Sequence, residues 1–198
     1  MVAPVQTSKS DQRHRLLEAT IDVIARDGVD AVTHRRVADV AGVPLGSTTY
    51  YFASREDLLL QAMQHFGAQE AAVLRRHFTE PARRTRTPRA CADKVLELIA
   101  PQTGSDRART IAQFALLTEA SRRTELRPVV QEWNQTWRTA LAGLCAELSA
   151  ADSELTARMI LALIDGLLLS QLAAPEPQFV SATLKPALRR AFAQAAAR

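Results

Sequence analysis

The chain has 198 residues, of which 47% are hydrophobic and 23% charged, the mix of a globular fold with one mid-sized domain or a small domain joined to a larger one. Two cysteines, Cys91 and Cys145, are too few and too far apart for a disulfide scaffold, no secretory leader pattern opens the chain, and its most apolar stretch, residues 160–172, is interrupted by Asp165 and short for a bilayer, so a cytoplasmic protein without membrane contact is expected. The net charge of +4 permits a nucleic-acid partner without requiring one, because residues 1–60 hold seven Lys/Arg against eight Asp/Glu.

Alternating Val/Ile/Thr runs are missing and helical spacing dominates, so the fold class is all-α. A first helix is predicted over 11–26, with Leu16, Leu17, Thr20, Ile21 and Ile24 as its buried stripe and Gly28 as its stop. Thr33 stands as the N-cap of a short helix over 34–41, whose Val37, Val40 and Ala41 face inward. Gly42 breaks it. A third short helix starts at Pro44 or Leu45, where the fixed φ of proline suits a helix start, and ends near Phe52, which is expected in the core. Ser54 caps a fourth, long helix reaching about residue 77, with Asp57 in the place where a capping box usually has Glu or Gln. Residues 80–89 read as a loop. Helices over 89–100, 106–121, 127–149, 153–173 and 178–197 follow, and Pro186 should kink the last or mark its true start.

Between the second and third helices lies Ala41-Gly42-Val43-Pro44, a small residue, a glycine in the turn, then an apolar residue, as in a helix-turn-helix. The string from Thr33 to Val43, then Gly46-Ser47-Thr48-Thr49-Tyr50-Tyr51-Phe52 and Ser54-Arg55-Glu56-Asp57-Leu58-Leu59, resembles the N-terminal domain of the TetR family of repressors. The resemblance covers about residues 12–63. It implies a DNA-binding domain at 1–53 followed by a helical ligand-binding and dimerisation domain at 54–198. In that family the third helix enters the major groove of double-stranded DNA. Here that places Leu45, Gly46, Ser47, Thr49 and Tyr50 near base edges. Arg35, with Arg36 beside it, would reach guanine or a phosphate, and Thr33, Tyr51 and Arg55 would hold phosphates. The chain departs from the family pattern at Pro44, where relatives have Ser or Thr, and at Thr48-Thr49, where they have Leu-Tyr, so the operator sequence does not carry over.

The resemblance further implies a homodimer built from the last two helices. Leu155, Met159, Leu163, Gly166 and Leu167 on the penultimate helix, and Leu184, Leu188 and Phe192 on the last, are its candidate interface, and a two-fold dimer would read a roughly palindromic site. Met63, Phe66, Gln113, Phe114, Leu117, Trp133, Asn134 and Trp137 are candidates to line a cavity for a small-molecule effector, hydrophobic or aromatic in kind. Ordinary core packing accounts equally well for each of them taken singly.

An enzyme is not expected. No Gly-rich phosphate loop, His-Glu-x-x-His or Gly-x-Ser-x-Gly occurs. The four histidines and two cysteines show no metal-ligand spacing, so neither metal nor cofactor is expected. A helical interaction module is the remaining rival, and it would not need the turn and helix of residues 42–52. Arg75, Arg76, Arg83, Arg84, Arg86 and Arg89 read as a solvated loop region rather than a nucleic-acid patch.

Overall fold

The computed structural model describes residues 9–79 and 87–197, and among these it contains nine α-helices and no strand. The first helix, α1 (Lys9–Asp27), buries Leu16, Leu17, Thr20, Ile21 and Ile24, the stripe its spacing predicts. Its one polar member is satisfied locally, since the Thr20 hydroxyl donates to the Leu16 carbonyl at 2.8 Å. Gly28 ends the helix at φ 86°, a conformation that favours glycine. A single 3₁₀ turn, Val29–Ala31, leads to α2 (His34–Ala41), where Thr33 Oγ1 accepts the Arg36 N–H at 3.1 Å as the cap. The buried face of α2 is Val37, Ala38 and Ala41. Val40, expected inside, is half-buried, because the buried face is centred between Val37 and Ala38, over Ala41, and Val40 lies roughly 100° around the helix from that centre.

Gly42 closes α2 in the left-handed conformation, φ 64°. Its N–H reaches the Asp39 carbonyl at 3.3 Å and the Val43 N–H reaches the Ala38 carbonyl at 3.1 Å, the paired bonds of a Schellman turn. Then come α3 (Leu45–Tyr51) and α4 (Arg55–Thr79). Ser54 caps α4 as predicted, its Oγ accepting the Asp57 N–H at 3.1 Å, but the return bond of a capping box falls one residue early, with Asp57 Oδ2 accepting the Ala53 N–H at 2.9 Å.

The remaining helices are α5 (Pro88–Ile99), α6 (Arg107–Arg122), α7 (Arg127–Glu147), α8 (Ser153–Ala173) and α9 (Lys185–Ala196). The chain divides into two compact units, Met1–Gly67 with Ile111–Val129, and Ala68–Thr110 with Val130–Arg198. The division falls inside α4, α6 and α7 rather than at a loop. The first unit is centred on Leu16, Leu17, Phe52, Leu58, Phe66, Leu116 and Leu126, all fully buried. Within it α4 and the start of α7 meet closely at Gly67, where an added Cβ would lie 3.3 Å from Val129 Cγ1.

In the second unit α5 lies along α9, and Arg189 of α9 is paired with Asp93 of α5 at 3.0 Å. The single helix predicted over 178–197 is instead a widened π-type turn, Val180–Leu184, followed by α9 with Pro186 in its first turn. Proline has no N–H and its ring displaces the carbonyl four residues back, so a regular helix cannot run through it. The apolar stretch at 160–172 falls in the helix predicted over 153–173, which forms with those bounds. It belongs to the 21-residue α8, which by length and composition is enough to cross a membrane. Against that, Ala157, Ile160, Ile164 and Leu168 of α8 are buried within the protein.

Candidate nucleic-acid interface

One face of α3 is anchored and the other is open. Thr48 is fully buried and donates its hydroxyl to the Leu45 carbonyl at 2.8 Å, and Phe52, which follows the helix, is buried as expected. Ser47 Oγ accepts from Gln12 Nε2 of α1 at 2.9 Å, and the Tyr51 hydroxyl lies 3.5 Å from Gln12 Oε1. One glutamine therefore positions α3 against α1 at two points. On the opposite side Leu45, Gly46, Thr49 and Tyr50 are exposed, Leu45 to 50% and Tyr50 to 69%. They sit at i, i+1, i+4 and i+5, so they form one stripe. A Cβ at Gly46 would meet nothing, so another surface can come close to the backbone there. The Tyr50 ring is set edge-on to Tyr51, with centroids 4.9 Å apart and planes at 85°. The predicted base-reading set thus falls in two: Leu45, Gly46, Thr49 and Tyr50 face outward, while Ser47 is half-buried beside α1.

The predicted phosphate contacts also divide. Thr33 is exposed at the start of α2 with its hydroxyl used as the cap. Arg35 is exposed and makes no hydrogen bond or ion pair with a described residue. Arg36 is paired with Asp27 at 2.8 Å. Arg55 is the larger departure. Its Nε and Nη2 donate to the carbonyls of Val32 and Val29, both at 2.9 Å, and it lies 3.7 Å from Asp30. Its first task is to brace the loop between α1 and α2. The sequence carried no signal of this, because the acceptors are main-chain atoms more than twenty residues away. The same holds for Arg15, which donates to the Ala41 carbonyl at 2.6 Å and so supports the end of α2.

The carboxyl of Asp57, behind the interface, is held below its ordinary range by the side-chain hydrogen bond from Gln61 and by the Ala53 N–H, with burial opposing them.

Of the candidate effector contacts, Met63, Phe66 and Gln113 are buried in the first unit, where Phe114 and Leu117 are half-buried. Trp133 and Trp137 are buried in the second unit and lie one turn apart on α7, with Asn134 half-buried between them. Near Gln113 on α6, Glu119 is paired with Arg123 at 2.5 Å.

The candidate dimer residues do not behave alike. On α8, Leu155 and Met159 are 54% and 62% exposed, Leu163 and Leu167 are half-buried, and a Cβ at Gly166 would meet open space. Leu184, in the turn before α9, and Leu188 and Phe192 on α9 are fully buried inside the subunit, where α9 packs with α5. The surface that α9 leaves open is a different one. With α8 it forms a groove of about 360 Å³ lined by Leu155, Met159, Leu163, Ala191, Gln194 and Ala195. Of the arginine run, Arg75 and Arg76 are exposed at the end of α4 and Arg89 lies 3.7 Å from Asp93. Arg83, Arg84 and Arg86 lie outside the described residues.

Comparison with known proteins agrees with this architecture. Residues 16–62 match the family of bacterial regulatory proteins named for tetR, and residues 86–197 match a tetracyclin repressor-like C-terminal domain. The chain is 30% identical over 177 residues to the transcriptional regulator BetI of Rhizobium meliloti (strain 1021), covering 87% of this chain and 84% of that protein. A TetR-family structure from Streptomyces coelicolor A3 is 31% identical with a TM-score of 0.70, covering 93% of this chain and 98% of that one. The multidrug binding protein EbrR, solved with ethidium, is 28% identical with a TM-score of 0.68 over 93% of this chain and 98% of that one. The matches span both the helix-turn-helix and the helical C-terminal part, and the chain belongs to the TetR family of bacterial transcriptional regulators.

Proposed function

We propose that this protein is a ligand-responsive transcriptional repressor of the cytoplasm, which binds a palindromic operator as a homodimer and leaves it when a small-molecule effector binds. The observation that supports this most is the outward stripe of α3. Leu45, Gly46, Thr49 and Tyr50 are exposed, and they sit on a helix fixed from behind by Thr48, Phe52 and Gln12. A rigid helix that shows an aromatic ring, a hydroxyl, an apolar side chain and a bare backbone has what a major groove requires. Residues 1–53 are the DNA-binding part and 54–198 the effector and dimer part. Thr49 and Tyr50 read bases, and Arg35 reaches a guanine or a phosphate. Thr33 and Tyr51 contact the backbone at the edges of the site. Arg36 and Arg55 add phosphate contacts only by sharing donors that already hold Asp27 and the carbonyls of Val29 and Val32.

The exposed face of α8 and its groove with α9 supply the dimer contact, through Leu155, Met159, Leu163, Gly166 and Leu167. Effector contacts are assigned to Met63, Phe66, Gln113, Phe114 and Leu117, and to Trp133, Asn134 and Trp137. The aromatic members suit a hydrophobic or planar ligand, in keeping with the ethidium bound by EbrR. Because α4 runs on from the DNA-binding part, effector binding acts by shifting it, and effector and operator weaken each other by one common factor.

The test is a mobility shift of the purified protein on DNA flanking its own gene, with excess nonspecific competitor. A specific shift that is lost on Thr49→Ala or Tyr50→Ala supports the reading. If neither that DNA nor a random-sequence selection gives a bound sequence, the chain is an interaction module and the reading is wrong.

A further inference from the structure

His14 and Glu18 stand one turn apart on α1 and face His65 of α4, within the first unit. Residue spacing did not reveal the cluster, because its third member is 47 residues from Glu18. His65 Nε2 lies 2.6 Å from Glu18 Oε1. The His14 and His65 rings meet edge to face, with centroids 4.8 Å apart. One donor atom from each of the three residues lies within 4.8 Å of the others.

Two imidazoles and one carboxylate make a donor set suited to a late first-row divalent ion, zinc above all. Zinc–nitrogen and zinc–oxygen bonds of about 2.0–2.2 Å put neighbouring donors of a tetrahedral shell roughly 3.4 Å apart. The present separations bracket that value, so Glu18 and His65 need to part by under about 1 Å and His14 to swing in by no more than about 1.4 Å. His14 can do so. It is exposed and makes no hydrogen bond with a described residue. A plain helix contact would need only the Glu18–His65 hydrogen bond, and His14 adds nothing to that bond. The geometry points to a zinc-class metal site formed by His14, Glu18 and His65, with its fourth position open to solvent on the His14 side. Glu18 offsets one of the ion's two charges. A bound ion would fasten α1 to α4 inside the unit that carries α3. The inference does not depend on the DNA reading.

The test uses the full chain stripped of metal with a chelator. Zn²⁺ is titrated against a chromophoric zinc indicator, and Co²⁺ is titrated by its absorption. One ion per chain is expected, with the intense visible bands of four- or five-coordinate cobalt. His14→Ala and Glu18→Gln should each weaken binding by about a hundredfold or more, beyond the 10- to 100-fold typical of outer-shell partners. Zn²⁺ should raise the melting temperature of the wild type and not of His14→Ala, which keeps the Glu18–His65 contact and so should fold normally. Affinity undiminished in either variant would overturn the site, as would a cobalt spectrum of the hydrated six-coordinate ion or no binding at one ion per chain.

Discussion

Replacing Gly67 by alanine isolates one close approach in the first unit. Glycine inside an exposed helix is about 1 kcal/mol less favourable than alanine, so the change should stabilise α4 by that amount where space allows. Here the new Cβ would sit 3.3 Å from Val129 Cγ1, tight enough that Val129 must give way by a few tenths of an ångström. Crowding of this kind costs about 1 kcal/mol or more, which cancels the helix gain. Gly67→Ala alone should therefore be close to neutral. In a Val129→Ala background the obstacle is gone, and the same change should stabilise by about 1 kcal/mol. Urea unfolding of the four proteins, followed by circular dichroism and tryptophan fluorescence, gives the cycle, and coincident transitions check that one ΔG describes each. A coupling within about 0.5 kcal/mol of zero would refute the reasoning, as would full stabilisation by Gly67→Ala in the wild type.

Four further substitutions have expected outcomes. Asp57→Ala should cost about 1 kcal/mol of stability near neutrality through loss of the hydrogen bond from the Ala53 N–H, while the Ser54 cap stays. The Asp57 pKa is lowered on folding, so its stabilisation is complete above the unfolded value near 3.8 and disappears as pH falls through the folded one; unfolding across an acid series should show the gap narrowing there. Phe192→Ala should cost about 3–5 kcal/mol, whereas Leu155→Lys should leave helicity intact and convert the proposed dimer to a monomer in light scattering. Tyr50→Ala should melt within about 0.5 kcal/mol of the wild type yet lose about 1–3 kcal/mol of operator binding per half-site in anisotropy titrations.

Local signals in the sequence carried most of the fold. The stripe of α1, the caps at Thr33 and Ser54 and the glycine stops at Gly28 and Gly42 rest on interactions within a few residues, and all of them form. The exposed residues of α3 came from the resemblance to the TetR family, which put Leu45, Gly46, Ser47, Thr49 and Tyr50 near base edges, and it did not tell half-buried Ser47 from the outward four. Features that depend on distant partners were not visible. Arg55 looked like a phosphate ligand because nothing near it in sequence revealed the carbonyls of Val29 and Val32. Leu184, Leu188 and Phe192 were correctly seen as an apolar stripe, but a stripe does not say whether its partner is α5 of the same chain or another subunit. The convergence of His14, Glu18 and His65 is of the same kind.

The internal use of arginine around α3 bears on how such a protein would search for its site. Arg13, Arg15, Arg36 and Arg55 all donate to acceptors of their own unit, whereas Arg26 and Arg35 make no such bond with a described residue. Guanidinium groups held in this way do not trail through solvent to catch phosphates at a distance. With seven Lys/Arg against eight Asp/Glu over residues 1–60, long-range attraction by this part should add little to the rate of encounter, and residence on random DNA should be brief. The affinity should fall less steeply with salt than that of a strongly basic binder. Discrimination would rest on the fit of one short helix rather than on a reservoir of charge, so the protein would trade speed of capture for a quick release from every wrong sequence.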